Sequence, residues 1–174
     1  MKGKKRKPLN PIIILLMALI IFCLGIIIHL LIRNNRTIVP DYASGIIDTN
    51  AIKEDTVENK KEYQAGEGSV NLKFSNTVEI DLKEKTAKLY FKNPGTSSED
   101  IVLYLIIRDN DEEIILGTSD VIPAGYAIYK MNLNNVSKLS KGGYNGILKT
   151  VYYNEKTKSK EMIDSEIKVK IEVK

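Results

Sequence analysis

One stretch near the N-terminus constrains this chain more than any other. Residues Ile12 to Ile32 read IIILLMALIIFCLGIIIHLLI and contain no Asp, Glu, Lys or Arg. At about 1.5 Å of rise per residue, a helix of this length measures about 30 Å, which matches the hydrocarbon thickness of a bilayer. The sequence therefore predicts a membrane-spanning helix over residues 11–32.

The charges around this stretch predict its orientation. All five basic residues of the preceding segment lie between Lys2 and Lys7, with no acidic residue among them, whereas only Arg33 and Arg36 follow closely. An excess of Lys and Arg stays on the cytoplasmic side of a membrane. The apolar run is also longer than that of a cleaved signal peptide. We expect a single-pass cell-membrane protein with an uncleaved signal anchor, residues 1–10 in the cytoplasm and the C-terminal part outside.

The exported part has few of the residues on which chemistry is usually built. The single His and the single Cys, His29 and Cys23, both fall within the predicted span. Nucleophile systems that use His or Cys, zinc sites with nitrogen or sulfur ligands, and disulfides are therefore excluded outside the membrane. No carboxylate pair sits in a recognisable glycosidase pattern. We expect no enzyme activity and no cofactor.

Charge balance argues against a nucleic-acid partner. Met1 to Arg33 holds six of the 26 basic residues and none of the 22 acidic ones, so 20 basic and 22 acidic residues remain outside. A nucleic-acid-binding domain needs a basic patch, and the exported part has no bulk excess to supply one. The expected partners are the lipid bilayer, through residues 11–32, and proteins of the envelope, with the oligomeric state open.

After the apolar run the chain divides into two parts. Residues 33–68 are polar and of mixed charge with little alternation, and they predict a stalk or linker. From residue 69 to 174 apolar and polar residues alternate with period two in short segments, of which Ile167 to Val173 is the clearest. Ile101 to Ile107 is apolar throughout and predicts a central strand covered on both faces. Seven or eight strands with frequent turns predict an all-β, antiparallel β-sandwich.

A local motif refines this fold prediction. Tyr144 follows Gly142-Gly143 at the start of a late strand, as in the tyrosine corner of immunoglobulin-like domains. Gly146 stands where such domains place a second cysteine, and the chain has no Trp. The sequence thus predicts an immunoglobulin-like sandwich that differs from antibody domains.

A second set of turn motifs resembles a known group of proteins. The motifs are Phe91-Lys92-Asn93-Pro94, Ile122-Pro123-Ala124-Gly125 and Gly142-Gly143-Tyr144-Asn145-Gly146. Between residues 74 and 174 the chain resembles uncharacterised single-span membrane proteins of Gram-positive bacteria, in which a signal anchor precedes one small extracytoplasmic immunoglobulin-like domain. The resemblance implies this architecture and no site residues.

Two surface features are candidate sites. Asp109, Asp111 and Glu113 concentrate oxygen ligands of the kind that calcium prefers, but the EF-hand glycine is missing and a hydrated hairpin tip is the preferred interpretation. Lys88, Tyr90 and Lys92 would share the exposed face of one strand, as in a protein-binding patch, or as an ordinary sheet face whose Lys residues prevent aggregation.

These features define two hypotheses for the function. The first is a non-enzymatic, membrane-anchored extracytoplasmic interaction module that docks to proteins of a secretion, conjugation or surface-assembly complex. The alternative is an outward-facing ligand-binding or adhesive domain for a glycan, a protein or a calcium-dependent ligand, which would use exposed Tyr90, Tyr126 or Tyr152.

Overall fold

A computed structural model of the chain describes residues 11–33, 39–54, 72–109 and 112–174, with side chains at all of these except residues 14, 27–33, 109 and 112. It contains two compact units, Met1–Arg36 and Thr37–Lys174. Outside this description lie residues 34–38 and 55–68 of the predicted stalk, residues 69–71 of the predicted β domain, Asp111 of the candidate calcium loop and the side chain of His29.

The first unit contains one helix, α1, over Pro11–Arg33. Its described apolar side chains are exposed, among them Leu15 and Phe22. In the part of the chain whose side chains are described, no helix reaches both the length and the hydropathy of a membrane span.

The second unit is almost entirely β-structure. Its nine strands are β1 (Ala51–Lys53), β2 (Lys73–Phe74), β3 (Thr77–Asp81), β4 (Thr86–Lys92), β5 (Glu99–Asp109), β6 (Glu112–Thr118), β7 (Tyr126–Asn132), β8 (Gly142–Asn154) and β9 (Lys160–Val173). They form one hydrogen-bonded sheet in the order β1-β7-β4-β3-β9-β8-β5-β6, with β2 paired to β4. The prediction of a mostly β domain is confirmed, but β5, β8 and β9, with 11, 13 and 14 residues, are longer than the short strands expected.

One pairing corrects the prediction of a purely antiparallel sheet. β3 pairs with β9 in parallel, with Val78 opposite Ile171, whereas the other strand pairs are antiparallel. This parallel pair joins the half of the sheet formed by β1, β7, β4 and β3 to the half formed by β9, β8, β5 and β6. Alternating hydrophobicity identifies the buried face of a strand but carries no information on the direction of its neighbour.

The main core lies between the two halves of the sheet. Phe91 of β4, Ile128 of β7, Leu103 of β5 and Leu148 of β8 are fully buried in one apolar cluster. Because both halves contribute to the same cluster, the sheet is folded over so that its halves pack face to face, which is the arrangement of a β-sandwich.

A second apolar cluster covers the opposite side of β5 and β8. Val102, Tyr104 and Ile106 of β5 are buried there with Val151 and Tyr153 of β8. The prediction that Ile101 to Ile107 is covered on both faces is therefore confirmed, since alternate residues of this run belong to the two clusters.

The cover over this second cluster comes from a segment that the sequence placed in the stalk. Val39 and Ala43 pack against the cluster. Tyr153 donates a hydrogen bond from its hydroxyl to the carbonyl of Pro40 at 3.0 Å. The amide of Ala43 bonds to the carbonyl of Lys158 at 2.9 Å. We call residues 39–54 the strap, because they run along the domain and end by pairing β1 with β7.

The strap changes the predicted domain boundary. The compact unit begins at Thr37 rather than at residue 69, so residues 39–54 belong to the domain and not to the 33–68 stalk. The segment lacks strand alternation because most of it is held by isolated bridges and single hydrogen bonds, such as the bridge from Ile47 to Val121. Periodicity therefore could not identify it.

Candidate functional site

An irregularity in β4 shapes its exposed face. In the pairing of β4 with β7, Lys88 lies opposite Lys130 and Phe91 lies opposite Ile128. Two residues of β4, Leu89 and Tyr90, therefore lie opposite one residue of β7, Tyr129. Such a bulge twists a strand locally and redirects its side chains. Phe91 points into the core, whereas Tyr90 and Tyr129 lie with ring centroids 5.3 Å apart at an angle of 47°.

The carboxylate of Glu54, at the end of the strap, lies against these rings. The Tyr129 hydroxyl donates a short hydrogen bond to Glu54 Oε1, and the Tyr90 hydroxyl donates to Oε2 at 3.4 Å. Lys92 Nζ lies 3.1 Å from the same Oε2. Three donors from β4 and β7 therefore surround one carboxylate.

The backbone holds Glu54 in this position. Its amide donates to the carbonyl of Gly125 at 2.9 Å, directly after the three-residue strand β1. Gly125 has a φ of 82° in the turn before β7, a region that glycine adopts at low cost. The strap and this turn together bring an acidic residue to a face that otherwise carries Tyr and Lys.

The cluster has consequences for the protonation of its members. The hydrogen bond from Tyr129, followed by the contact with Lys92, lowers the pKa of Glu54 below its ordinary value. The same hydrogen bond raises the pKa of Tyr129. Glu54 is therefore anionic and Tyr129 protonated at neutral pH, which makes each hydrogen bond charge-assisted.

Lys92 is unusual because it is a buried cation. Only 7% of the residue is exposed, although its neighbours Lys73 and Lys88 are on the surface. A cation removed from water needs a counter-charge, since an ammonium in a low-dielectric site costs several kcal/mol. Glu54 provides that counter-charge from the strap.

Like charges face one another on both sides of the tyrosines. Lys73 of β2 lies directly opposite Lys92, and Lys88 lies directly opposite Lys130. Directly opposed residues of antiparallel strands share a face, and like charges in this position are destabilising. We call this surface the tyrosine–lysine face. Its members are Lys73, Lys88, Tyr90, Lys92, Tyr129 and Lys130.

The structure brings together some of the sequence-predicted residues and separates others. Lys88, Tyr90 and Lys92 share the tyrosine–lysine face. Tyr152 does not, because it lies on β8, packs against the main core and shares a hydrogen bond with Ser165 at 3.1 Å. Tyr126 packs against the main core as well.

Tyr144 occupies a corner at the start of β8. Its hydroxyl donates to the carbonyl of Ser140 at 3.0 Å and accepts from the amide of Ser140 at 3.1 Å. This is the geometry of a tyrosine corner, in which the hydroxyl closes the turn that precedes the strand.

Of the three predicted calcium ligands, only Glu113 has a described side chain. Glu113 forms an ion pair with Arg108, and Arg108 also lies 3.6 Å from Glu166. Asp109 pairs with Glu112 at the end of the hairpin, but its side chain is outside the description. Among the described residues, no group of three or more His, Cys, Asp or Glu side chains could hold a metal ion.

The sequence alone did not identify four residues of the site, which are Lys73, Tyr129, Lys130 and Glu54. Tyr129 and Lys130 repeat the Tyr and Lys composition of β4, which was an available signal. Glu54 had no such signal, because it reaches the face through a strap that the sequence does not distinguish from a linker.

Comparisons with known proteins find little that is similar. No protein-family model matches this chain, and no curated protein matches it either. Among solved structures, the chain is similar to a domain of the outer membrane lipoprotein Omp28 from Porphyromonas gingivalis. That match has 15% identity and a TM-score of 0.39, and it covers 67% of this chain and 99% of the other.

A second similar structure is AggA, the major subunit of aggregative adherence fimbriae type I from Escherichia coli. The identity is 8% and the TM-score 0.35, with coverage of 66% of this chain and 100% of the other. Because both TM-scores are below 0.5, neither similarity is evidence for the function. What the fold and the site define is an all-β domain with an exposed aromatic and basic face.

Proposed function

We propose that this chain is a membrane-anchored extracytoplasmic interaction module without enzyme activity. It docks to other proteins of the cell envelope through the tyrosine–lysine face. The partners belong to an assembly of the secretion, conjugation or surface-assembly kind. The observation that carries the proposal is the Tyr90 and Tyr129 pair, displayed between two opposed Lys pairs on the outside of β4 and β7.

The fold assignment within this proposal is an immunoglobulin-like sandwich. One half of an immunoglobulin sheet runs A-B-E-D and the other runs G-F-C-C′. The order β3-β4-β7-β1 followed by β9-β8-β5-β6 has the same succession, with β1 from the strap in the D position. The Tyr144 corner at the start of the F-like strand β8 supports the same assignment. Domains of this kind present sheet faces and end loops to partners.

The anchor within this proposal is the helix α1. Ile12 to Ile32 contains no charged residue, and basic residues are concentrated before it. Exposed apolar side chains along α1 need a non-aqueous environment, which a bilayer provides. The resemblance to single-span Gram-positive proteins agrees with this arrangement.

The tyrosine–lysine face has the composition of a docking site. Tyr is enriched in protein interfaces because a rigid ring supplies contact area at a low entropy cost. Tyr129 is 48% exposed, although its ring already contacts Tyr90 and its hydroxyl already bonds to Glu54. The ring is therefore pre-positioned and still accessible, which lowers the cost of binding.

Photo-crosslinking tests the docking proposal. A benzophenone amino acid at position 129 is expected to capture a defined envelope protein in intact cells, and the same group at position 168, on the exposed face of β9, is not. Equal capture from both positions, or none from position 129, would count against docking through the tyrosine–lysine face.

Protease treatment of spheroplasts tests the anchor separately. The folded domain is expected to be removed from the outside, leaving a fragment that carries the N-terminus in the membrane fraction. Recovery of the whole chain in the soluble fraction would contradict the anchor and leave the docking test unaffected.

A further inference from the structure

The centre of the tyrosine–lysine face is filled by the side chain of Glu54. Tyr90, Tyr129 and Lys92 direct three donors toward a single carboxylate, and that carboxylate belongs to the chain itself. The donors lie on β4 and β7, inside a sheet, whereas the acceptor lies after β1, an edge strand of three residues. The donor side is thus the more firmly fixed of the two.

The energetics favour an occupied site. Lys92 is buried, so its ammonium is stable only when an anion lies beside it. The opposed pairs of Lys73 with Lys92 and of Lys88 with Lys130 add positive potential to the same face, which Glu79, directly opposite Lys88 on β3, offsets in part. Any carboxylate that reached the three donors would therefore be attracted, and among the described residues Glu54 does so.

We propose that Tyr90, Tyr129 and Lys92 form a carboxylate receptor for an acidic segment of a partner protein, and that Glu54 occupies it in the unbound state and is displaced on binding. This inference rests on the proposed docking function and adds the chemistry of the partner and an autoinhibitory contact. The backbone bond from Glu54 to Gly125 remains in place while the side chain rotates outward.

The positions of the lysines indicate the spacing of the acidic residues on the partner. Lys88 and Lys92 lie opposite Lys130 and Ala127, which are three residues apart on β7, so the bulge leaves the two lysines about 10 Å apart along the strand. Acidic side chains two to four residues apart on an extended peptide span about 7 to 13 Å and can reach both lysines. One acid of the partner would replace Glu54 at Lys92, and the other would lie beside Lys130, because Lys88 already faces Glu79 of β3 on its other side.

A carboxylate-bearing peptide fits this site better than an anionic glycan. The observed occupant is a carboxylate that is carried by the end of a strand, and it accepts from two phenolic hydroxyls and one ammonium. An anionic polymer held by general attraction would depend on the exposed lysines and not on the two hydroxyls.

Affinity measurements on the full-length protein in detergent test the inference. The probe is a labelled synthetic peptide with two Glu residues four positions apart, and the reference is the same peptide with Gln in both places. Glu54→Gln removes the internal competitor, and the peptide affinity is expected to rise by about fivefold or more. Glu161→Gln, on β9 in the other half of the sheet, removes the same charge and is expected to change the affinity by less than about twofold.

The hydroxyl donors are tested by the double variant Tyr90→Phe with Tyr129→Phe. It retains both rings, and the affinity is expected to fall by about tenfold, as for the loss of one or two hydrogen bonds to a charged group. Tyr152→Phe is the matched control on β8, with no effect expected. Because these variants conserve the ring volume, they separate a binding defect from unfolding, which circular dichroism checks.

Three results would overturn the inference. The first is that Glu54→Gln binds the Glu peptide no more tightly than Glu161→Gln does. The second is that the wild-type protein binds the Glu and Gln peptides equally well. The third is that the double Phe variant binds the Glu peptide as tightly as the wild type. Displacement of the peptide by dextran sulfate with no response to Glu54→Gln would assign the face to a polyanion instead. Crosslinking of an envelope protein from position 129 would still support the docking function in each of these cases.

Discussion

The carboxylate of Asp48 accepts a hydrogen bond from the backbone amide of Asp120 at 2.9 Å, although the two residues are 72 positions apart. Its other oxygen accepts from the amide of Asn50 at 2.7 Å. Backbone bonds join Asp48 to Val121 and Val121 to Ile46 at 2.9 Å each. This contact fastens the middle of the strap to the chain between β6 and β7.

The strap contact predicts a specific loss of stability. Asp48→Ala leaves the amides of Asn50 and Asp120 without their acceptor, and unsatisfied half-buried donors cost about 1–3 kcal/mol together. Urea unfolding should show this decrease. Asp41→Ala, an exposed residue of the same strap, should be nearly neutral. Equal stability of the two variants would contradict a structural role for the strap.

The strap also explains how far the fold could be predicted. The uninterrupted apolar run of Ile101 to Ile107 requires a cover on both faces, and the sequence identified that requirement correctly. It did not identify the cover, because Val39 and Ala43 pack onto β5 and β8 without a periodic pattern. Alternation likewise located Ile167 to Val173 as a strand but not its parallel pairing with β3.

The candidate site shows the same limit at the level of single residues. Tyr90 and Lys92 could be placed on one face from their spacing alone, because a strand has a period of two. Glu54 contacts both, but it comes from a different segment whose path depends on long-range bonds such as that of Asp48. Charges brought together by tertiary packing of irregular segments have no local sequence signal.

A close approach of Gly117 in β6 to the end of β7 predicts a second stability effect. A Cβ atom on Gly117 would lie 2.5 Å from the carbonyl oxygen of Asn132 and 2.9 Å from Leu133 Cδ2. Because a backbone carbonyl cannot move as a side chain can, Gly117→Ala should destabilise the domain by about 1–3 kcal/mol. Thermal unfolding measures this, and Gly143→Ala is the control, since nothing lies within 4 Å of its Cβ position. Similar melting temperatures for both would refute the close approach.

The Tyr144 corner gives a third prediction. Tyr144→Phe removes the bonds to both the carbonyl and the amide of Ser140, with an expected loss of about 1–2 kcal/mol. Tyr126→Phe is the control, because its hydroxyl makes no hydrogen bond among the described residues. Chemical denaturation distinguishes the two. A loss no greater than that of the control would mean that the turn before β8 is held by its backbone alone.

The Glu54 cluster gives the last prediction, which concerns pH. The groups that face this carboxylate are Tyr90 and Lys92 of β4 and Tyr129 of β7, and Lys73 of β2 lies opposite Lys92. The Tyr129 hydrogen bond and then Lys92 lower the pKa of Glu54 in the folded state below its ordinary value of 4.5. A carboxyl group with a lowered folded pKa contributes stability above its unfolded pKa, and this contribution is lost as the pH falls through the folded pKa.

Glu54→Gln should therefore be less stable than the wild type at neutral pH, and the difference should shrink below pH 4.5 and vanish once Glu54 is protonated in the folded state. Urea unfolding of both proteins across this range measures the difference directly. The control is Glu161→Gln, which removes a charge of the same sign from β9, in the other half of the sheet. A Glu54→Gln difference that stays constant with pH would mean that the ion pair with Lys92 contributes nothing, since only Glu54 in this cluster changes its charge in acid.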